Sequence, residues 1–174
     1  MPVGQSLAIQ YEKGVRKSDI EDAVVPTSEK NGTLVRFTPD DTIFESNYEF
    51  NMDYVETLIR NYSFLNVGLK LSLNGQDYKS DKGLEDLLDE SMEVEPLYAP
   101  IHLQDKDIDI VFTHGNGYGE TIYSFVNGQN TTLGGTHVSA FKEVIVKTLK
   151  DFFKKDFNSV DIRQSIIAAV SVRI

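Results

Sequence analysis

The sequence predicts an α+β domain in which a sheet of about five or six strands is covered by helices. Short segments that alternate apolar and polar residues, such as 108–112 and 122–127, are typical of strands. Two longer segments, 54–65 and 138–153, repeat apolar residues at helical spacing. Because a helix separates the last two strands, a parallel β-α-β unit is expected over residues 120–174, and ordinary chirality predicts a right-handed crossover for it.

Turn and cap residues mark element boundaries in the first half of the chain. Residues 33–38 are predicted to form a strand. Asn51, which precedes the first helical segment, has the short polar side chain that caps helices. Asn74-Gly75 is a strong signal for a two-residue hairpin. The acidic residues 89–100 are expected to be a surface loop.

The second half carries a long helix and a buried strand. The helix follows Thr136, and residues 166–174 form a β-branched run that is typical of a buried strand. One face of the helix is predicted to meet the core through Phe141, Val144, Ile145, Leu149 and Phe152.

The composition excludes several classes of protein. The chain has 174 residues, of which 40% are hydrophobic and 25% charged, as in an ordinary globular domain. No apolar run approaches the roughly 18 residues of a membrane span, and the N-terminus lacks the pattern of a signal peptide. The absence of cysteine excludes disulfides and thiolate metal sites, and a cytoplasmic location is expected.

The charge distribution argues against tight DNA binding by the whole chain. The formal net charge is −10, whereas a free-standing DNA-binding domain carries a basic surplus. The exception is local: five lysines lie between residues 142 and 155. A solvated helix face is the simpler explanation for them.

Two glycine-rich runs invite comparison with phosphate sites. Residues 115–119 read Gly-Asn-Gly-Tyr-Gly, but the following segment is a strand and not the helix that a phosphate loop must open, so a hairpin turn is expected. Gly134, Gly135, Thr136 and His137 do open a helix, and an anion site is conceivable there. A structural motif is favoured, with Thr136 as a cap and the glycines in a tight turn.

No catalytic or metal site is predicted. His102, His114 and His137 lack the spacing of metal ligands, and no nucleophile-base arrangement is suggested by a local motif. On residue chemistry alone, the chain is not an enzyme.

A series of motifs resembles the transducer domain of the B subunits of bacterial type IIA DNA topoisomerases, which are the ATPase subunits of gyrase and topoisomerase IV. Each motif is weak alone, but all stand in the family's order. They are Gly-Thr-x-Val-x-Phe-x-Pro-Asp at 32–40, Phe-Leu-Asn-x-Gly at 64–68, Tyr-Gly-Glu at 118–120, Ser-Phe-Val-Asn at 124–127, Gly-Gly-Thr-His at 134–137, Asp-Ile-Arg at 161–163 and Ala-Ala-Val-Ser-Val at 168–172.

The resemblance implies a two-layer α/β sandwich with the β-α-β fold of a small-subunit ribosomal protein and a left-handed crossover. Residues 31–174 would be the transducer domain, truncated before the family's Gln-Thr-Lys loop, whose lysine reaches the γ-phosphate of ATP. Residues 1–30 would be a lead-in, partly an expression remnant or a linker from a preceding domain. ATP and Mg²⁺ would bind the parent enzyme and not this fragment, which would be inactive alone.

The resemblance also implies a conformational function. The transducer would relay ATP-driven closure to the DNA-cleavage core, with the long helix as the lever. Lys147 aligns with a basic residue that faces the cavity for transported DNA, and Lys142 or Lys150 would assist it. Expected partners are the chain's own ATPase and cleavage domains, the A subunit and double-stranded DNA; the fragment itself is expected to be monomeric.

Two alternatives remain open from the sequence. One is the second domain of a mismatch-repair or chaperone-type ATPase, which shares the fold. The other is a standalone protein-interaction module. Gyrase and topoisomerase IV are not distinguished.

Overall fold

The computed structural model describes residues 4–17, 24–44 and 47–174. The chain divides into two compact units, Met1–Phe50 and Asn51–Ile174. The boundary expected between lead-in and main domain, at residues 30 and 31, lies within the first unit. Residues 1–3, part of the segment interpreted as an expression remnant, lie outside the described residues.

The first unit contains short strands and an irregular segment. Its strands are β1 (Gly4–Leu7), β2 (Tyr11–Glu12), β3 (Val15–Arg16) and β4 (Val24–Thr27). β1 pairs antiparallel with β4, and β2 with β3. The strand predicted at residues 33–38 was wrong, because these residues pair with no strand among those described, and Leu34, Val35 and Phe37 are exposed. A β-favouring sequence forms a strand only beside a partner that its backbone and side chains can join.

The second unit carries all the helices of the described residues. The helices are α1 (Met52–Leu65), α2 (Leu84–Ser91), α3 (Thr136–Phe153) and α4 (Ser159–Arg163). The strands are β5 (Leu71–Leu73), β6 (Gln76–Tyr78), β7 (Ile101–Gln104), β8 (Ile108–His114), β9 (Thr121–Val126), β10 (Gln129–Asn130) and β11 (Ile166–Val172).

Local sequence signals account for several of these boundaries. The Asn51 side chain accepts a hydrogen bond from the Tyr54 backbone N–H at 3.1 Å, which confirms the predicted cap of α1. Asn74 and Gly75 have φ values of 52° and 88°. Both are positive, as the tight turn between β5 and β6 requires, and the predicted hairpin is confirmed.

β11 is the central strand of a five-stranded mixed sheet with the order β10-β9-β11-β8-β7. It runs parallel to β9 and antiparallel to β8. The parallel pairing of β9 with β11 across α3 confirms the predicted β-α-β unit, and the hand of the crossover stays a prediction.

Helices cover both faces of this sheet. On one face, α1 and α2 pack against alternate strand residues; this cluster includes Phe64, Leu84, Leu87, Leu88, Val111, Phe125, Ile167 and Ala169. On the other face, α3 packs against the intervening residues, and that cluster includes Phe141, Ile166, Ala168 and Val170. The α+β class is confirmed. The unit has helices on both faces of the sheet, which is one layer more than in the expected two-layer sandwich. The second helical layer is needed because β11 is apolar on both of its faces.

The apolar face of α3 is narrower than predicted. Phe141 is buried and Ile145 and Leu149 are half-buried, but Val144 and Phe152 are 58% and 77% exposed. Val144 is displaced by about 100° around the helix from Ile145, and so points away from the sheet. Phe152 lies in the last turn of the helix.

The glycine-rich run between β8 and β9 does not form the predicted hairpin. β8 and β9 do not pair with each other, because β11 lies between them. Gly115 and Gly119 instead hold the start of β11: the Gly115 N–H donates to the Ser165 carbonyl at 2.9 Å, and the Ser165 N–H donates to the Gly119 carbonyl at 2.8 Å. The run therefore spans the width of one intervening strand.

The Gly-Gly-Thr-His segment closes the loop that begins α3. Gly135 is the N-cap residue, so the prediction that Thr136 is the cap was wrong. His137 Nε2 lies 3.2 Å from Thr131 Oγ1, which lies 2.6 Å from Ser124 Oγ on β9. A Cβ at Gly135 would come within 2.9 Å of the His137 ring. Glycine at this position lets the imidazole fold back over the loop.

His102 ties the edge strand β7 to its neighbours. Its Nδ1 lies 2.8 Å from Glu85 Oε1 on α2, and its Nε2 lies 2.7 Å from Asp109 Oδ1 on β8. Carboxylates only accept hydrogen bonds, so both contacts are satisfied when the ring is a doubly protonated imidazolium. Burial acts to lower the pKa of His102, but hydrogen bonds and charges from Asp109 and Glu85 outweigh it and raise the pKa above its usual value.

The protonated His102 should stabilise the fold in a defined pH range. Because its pKa is raised on folding, the stabilisation is fully present below about pH 6.5 and is lost as pH rises through the folded-state pKa. Comparison of denaturant unfolding of the wild type and His102→Gln should give a larger free-energy difference at about pH 6 than at about pH 9. A difference that is constant over this range would contradict the imidazolium assignment.

Gly135→Ala should destabilise the chain through its contact with His137. The expected loss is about 1–3 kcal/mol, because an added methyl group overpacks the loop. Removal of the ring in Gly135→Ala/His137→Ala should make the two substitutions non-additive, with a smaller combined loss than the sum of the single losses. Additive losses in urea unfolding would show that the ring is not the obstacle.

Candidate nucleic-acid interface

The three lysines predicted to approach DNA lie on α3, beside a shallow groove of about 600 Å³. Successive turns of α3 supply one wall, and α4 contributes one residue. The lining residues are Ser139, Lys142, Glu143, Val146, Lys147, Lys150, Asp151 and Arg163. Four of these side chains are cationic and two are carboxylates, so the groove is locally basic in an acidic chain.

Helical spacing explains why these residues share one wall. Lys142, Val146 and Lys150 are four residues apart and lie along one stripe of the helix. Phe141 and Ile145 direct the adjacent stripe to the sheet, which fixes the rotation of the helix. The sequence of α3 thereby places its basic stripe at the margin of the buried face.

Lys147 is the exposed cation of the groove. It makes no ion pair or side-chain hydrogen bond with the part of the chain that the structure describes. An ammonium group without a carboxylate partner keeps its charge available to an incoming anion.

Lys150 has a weakly held partner. Its Nζ lies 2.7 Å from Asp156 Oδ1, and the Asp156 side chain is 92% exposed. Exposed ion pairs of this kind contribute little, because solvent screens both charges. Lys150 is therefore readily available to a second anion.

Lys142 and Arg163 share one carboxylate. Lys142 Nζ lies 2.6 Å from Glu120 Oε2, and Arg163 Nε donates to Glu120 Oε1 at 2.8 Å. Burial acts to raise the pKa of Glu120, but its hydrogen bonds and charge interactions with Lys142 and Arg163 outweigh this and hold the pKa below its usual range. This cluster joins α3 and α4 to the segment that begins β9.

The structure thus brings all three predicted lysines together and adds two residues that sequence reasoning did not assign to the site. Glu120 and Arg163 both belong to motifs of the resembled family, at 118–120 and 161–163. Their sequence separation hid their contact, because only the fold brings α4 beside the start of β9. The motif residues Gly134 to His137 lie at the start of α3 and outside the residues that line the groove.

Neither glycine-rich run forms a phosphate loop that opens a helix with free backbone N–H groups. Gly115 to Glu120 lead into a strand, and the loop before α3 is occupied by the His137 ring. The groove along α3 is open and has no loop that wraps a phosphate chain.

The described ranges meet the requirements of neither a metal-ligand cluster nor a membrane-spanning helix. Residues 4–17, 24–44 and 47–174 contain no cluster of three or more His, Asp or Glu side chains placed to hold a metal ion. The same ranges contain no helix that is long and apolar enough to cross a membrane.

Curated relatives share this sequence over almost its whole length. The B subunit of DNA topoisomerase 4 from Borreliella burgdorferi is 37% identical over 172 residues, which cover 98% of this chain and 28% of the relative. The B subunit of DNA gyrase from Thermotoga maritima is 32% identical over 192 residues, which cover 95% of this chain and 30% of the relative. The chain therefore spans less than a third of the length of these two relatives.

Solved structures share the fold. The ATPase domain of Thermus thermophilus gyrase B, determined with an aminocoumarin, superposes with a TM-score of 0.69 at 22% identity and covers 95% of this chain and 51% of that one. The B subunit of Myxococcus xanthus gyrase gives a TM-score of 0.72 at 17% identity, covering 98% and 56%.

The family profile described as DNA gyrase B matches residues 52–174. This match includes the whole second unit except its first residue, with the groove, the Gly-Gly-Thr-His segment and the central strand. The chain belongs to the DNA gyrase B family.

Proposed function

We propose that this chain is the transducer part of a type IIA topoisomerase B subunit, and that it couples ATP binding and hydrolysis in a neighbouring ATPase domain to passage of a DNA duplex. The observation that carries the proposal is an unpaired, exposed Lys147 on a long helix fixed to the sheet, in a chain of this family. Residues 31–174 are proposed as the transducer domain. Supercoiling, relaxation and decatenation are all reactions that such coupling could serve.

The long helix has the properties of a lever. α3 contains 18 residues and is therefore about 27 Å long. Phe141 and Ile145 fix it to the sheet, where they pack on the core that contains Ile166, Ala168 and Val170. A packed helix transmits a displacement without bending, so rotation of the domain would move the basic groove as a rigid body.

The groove supplies the charges for contact with a duplex. Lys147 is free and Lys150 is weakly held, and both would approach phosphates and not bases, because ammonium groups act as point charges. Binding of this kind is independent of sequence and sensitive to salt. Both properties suit a surface that a transported duplex meets only transiently.

The partners and cofactors follow from this proposal. ATP and Mg²⁺ would be held by the preceding ATPase domain. The chain would work with the cleavage domain of its own subunit, with the A subunit and with duplex DNA, in the cytoplasm. Isolated, it would be a monomer without catalytic activity.

Lys147→Glu should weaken contact with DNA. We expect the affinity of this chain for a labelled duplex to fall about tenfold at about 50 mM salt. The slope of log affinity against log salt concentration should become shallower by about one unit. In the complete subunit assembled with its A subunit, relaxation should be impaired. The matched control is Lys106→Glu, which makes the same charge change in the turn between β7 and β8. Equal effects of the two substitutions would contradict the assignment of Lys147.

A calorimetric titration tests the division of labour with the ATPase domain. Magnesium and a non-hydrolysable ATP analogue should give no heat of binding with this chain, because residues 115–119 lead into a strand and the His137 ring lies against Gly135 before α3. A native protein extended in both directions should bind the analogue tightly. Binding by the chain itself would overturn the placement of the nucleotide site.

A further inference from the structure

Glu120 does not line the basic groove but contacts two of the residues that do, Lys142 and Arg163. Its two carboxylate oxygens hold cations from two different helices, Lys142 of α3 and Arg163 of α4, at 2.6 Å and 2.8 Å. A carboxylate that bridges two cationic donors makes the same kind of charge-assisted hydrogen bonds that a phosphate would make.

The two carboxylates that form ion pairs with the cations of the groove, Glu120 and Asp156, differ in how firmly they hold them. Glu120 is 24% exposed, whereas Asp156, the partner of Lys150, is 92% exposed. Water and salt screen the exposed pair strongly and the half-buried pairs much less. Of the four cations that line the groove, Lys147 and Lys150 are thus available at once, while Lys142 and Arg163 are restrained.

We propose that Glu120 is an internal counter-anion that limits the affinity of the groove for polyanions. In the free protein it neutralises part of the charge of Lys142 and Arg163. When a duplex enters, Lys142 can turn one of its three N–H donors to a phosphate, and the guanidinium of Arg163 has further N–H donors beside Nε. This regulation of the groove rests on the proposed function.

Glu120 would therefore lower the affinity of the groove for a DNA duplex. A transported duplex must be released after each passage, so tight binding would slow turnover. Glu120 lowers the gain from each phosphate contact because its charge already offsets part of the charge of Lys142 and Arg163 and also repels the phosphate.

The test compares two substitutions that each remove one negative charge. Glu120→Gln removes the half-buried carboxylate, and Asp156→Asn removes the exposed one. Anisotropy of a fluorescein-labelled duplex of about 20 base pairs is titrated with each full chain at about 20 to 200 mM salt.

Glu120→Gln should bind the duplex about three- to tenfold more tightly at about 50 mM salt. The slope of log affinity against log salt concentration should be steeper by about 0.9. Asp156→Asn should change affinity less than about twofold, because its partner is already available. Equal gains would show that only net charge matters and would overturn the proposal, as would unchanged or weaker binding by a folded Glu120→Gln.

A second pair of variants tests the restraint of Lys142 if circular dichroism shows that Glu120→Gln is not folded. Lys142→Gln should weaken binding much less than Lys147→Gln, since Lys142 is held by Glu120. Equal losses would contradict the restraint of Lys142.

The outcomes separate this proposal from the function on which it rests. If Lys147→Glu leaves duplex binding unchanged, both the DNA-contacting role and the counter-anion role fail. If Lys147→Glu weakens binding but Glu120→Gln gains no more than Asp156→Asn, the counter-anion role alone fails.

Discussion

The insertion of β11 between β8 and β9 is the constraint on which the second unit depends. Ala168 and Ala169, in the middle of this strand, have no solvent exposure, and their side chains point to opposite faces. One alanine faces the layer of α1 and α2, and the other faces α3. Small side chains on the central strand let both helical layers approach the sheet closely, where larger ones would hold them off.

The rotation of α3 links this packing to the surface chemistry. The same helix that fills the core with Phe141 and Ile145 presents lysines at the edge of its buried face. Those charges oppose the acidity of the whole chain, and Glu120 forms ion pairs with one of the lysines and with Arg163. The groove thus combines a local excess of cations with ion pairs to a half-buried carboxylate, and is not simply a basic patch.

Features with a local signal could be predicted from the sequence. The Asn51 cap, the Asn74-Gly75 turn and the helical periodicity before Phe153 each depend on residues within a few positions. The choice of strand partners could not be predicted in this way. Residues 115–119 resembled a hairpin turn because the chain reverses there, but the sequence between two strands does not show that a third will lie between them.

The candidate site shows the same division. Residue type and helical spacing were sufficient to place Lys142, Lys147 and Lys150 together on one helix. The Glu120 contacts with Lys142 and Arg163 span 22 and 43 positions, by their residue numbers, and depend on the complete fold. β7 was also missed, since its four residues are too few for a periodic signal and become a strand only beside β8.

The position of β11 has a consequence for how the chain acquires its structure during synthesis. β11 is the last described strand along the chain, yet it is the only one that joins both halves of the sheet. As the ribosome adds residues, β8 and β9 emerge with no shared partner, and α3 has no completed sheet to cover. Assembly of this unit must therefore wait for its last strand, and contacts of long sequence separation set the pace. A nascent chain that stops before residue 166 would leave the unit without its central strand.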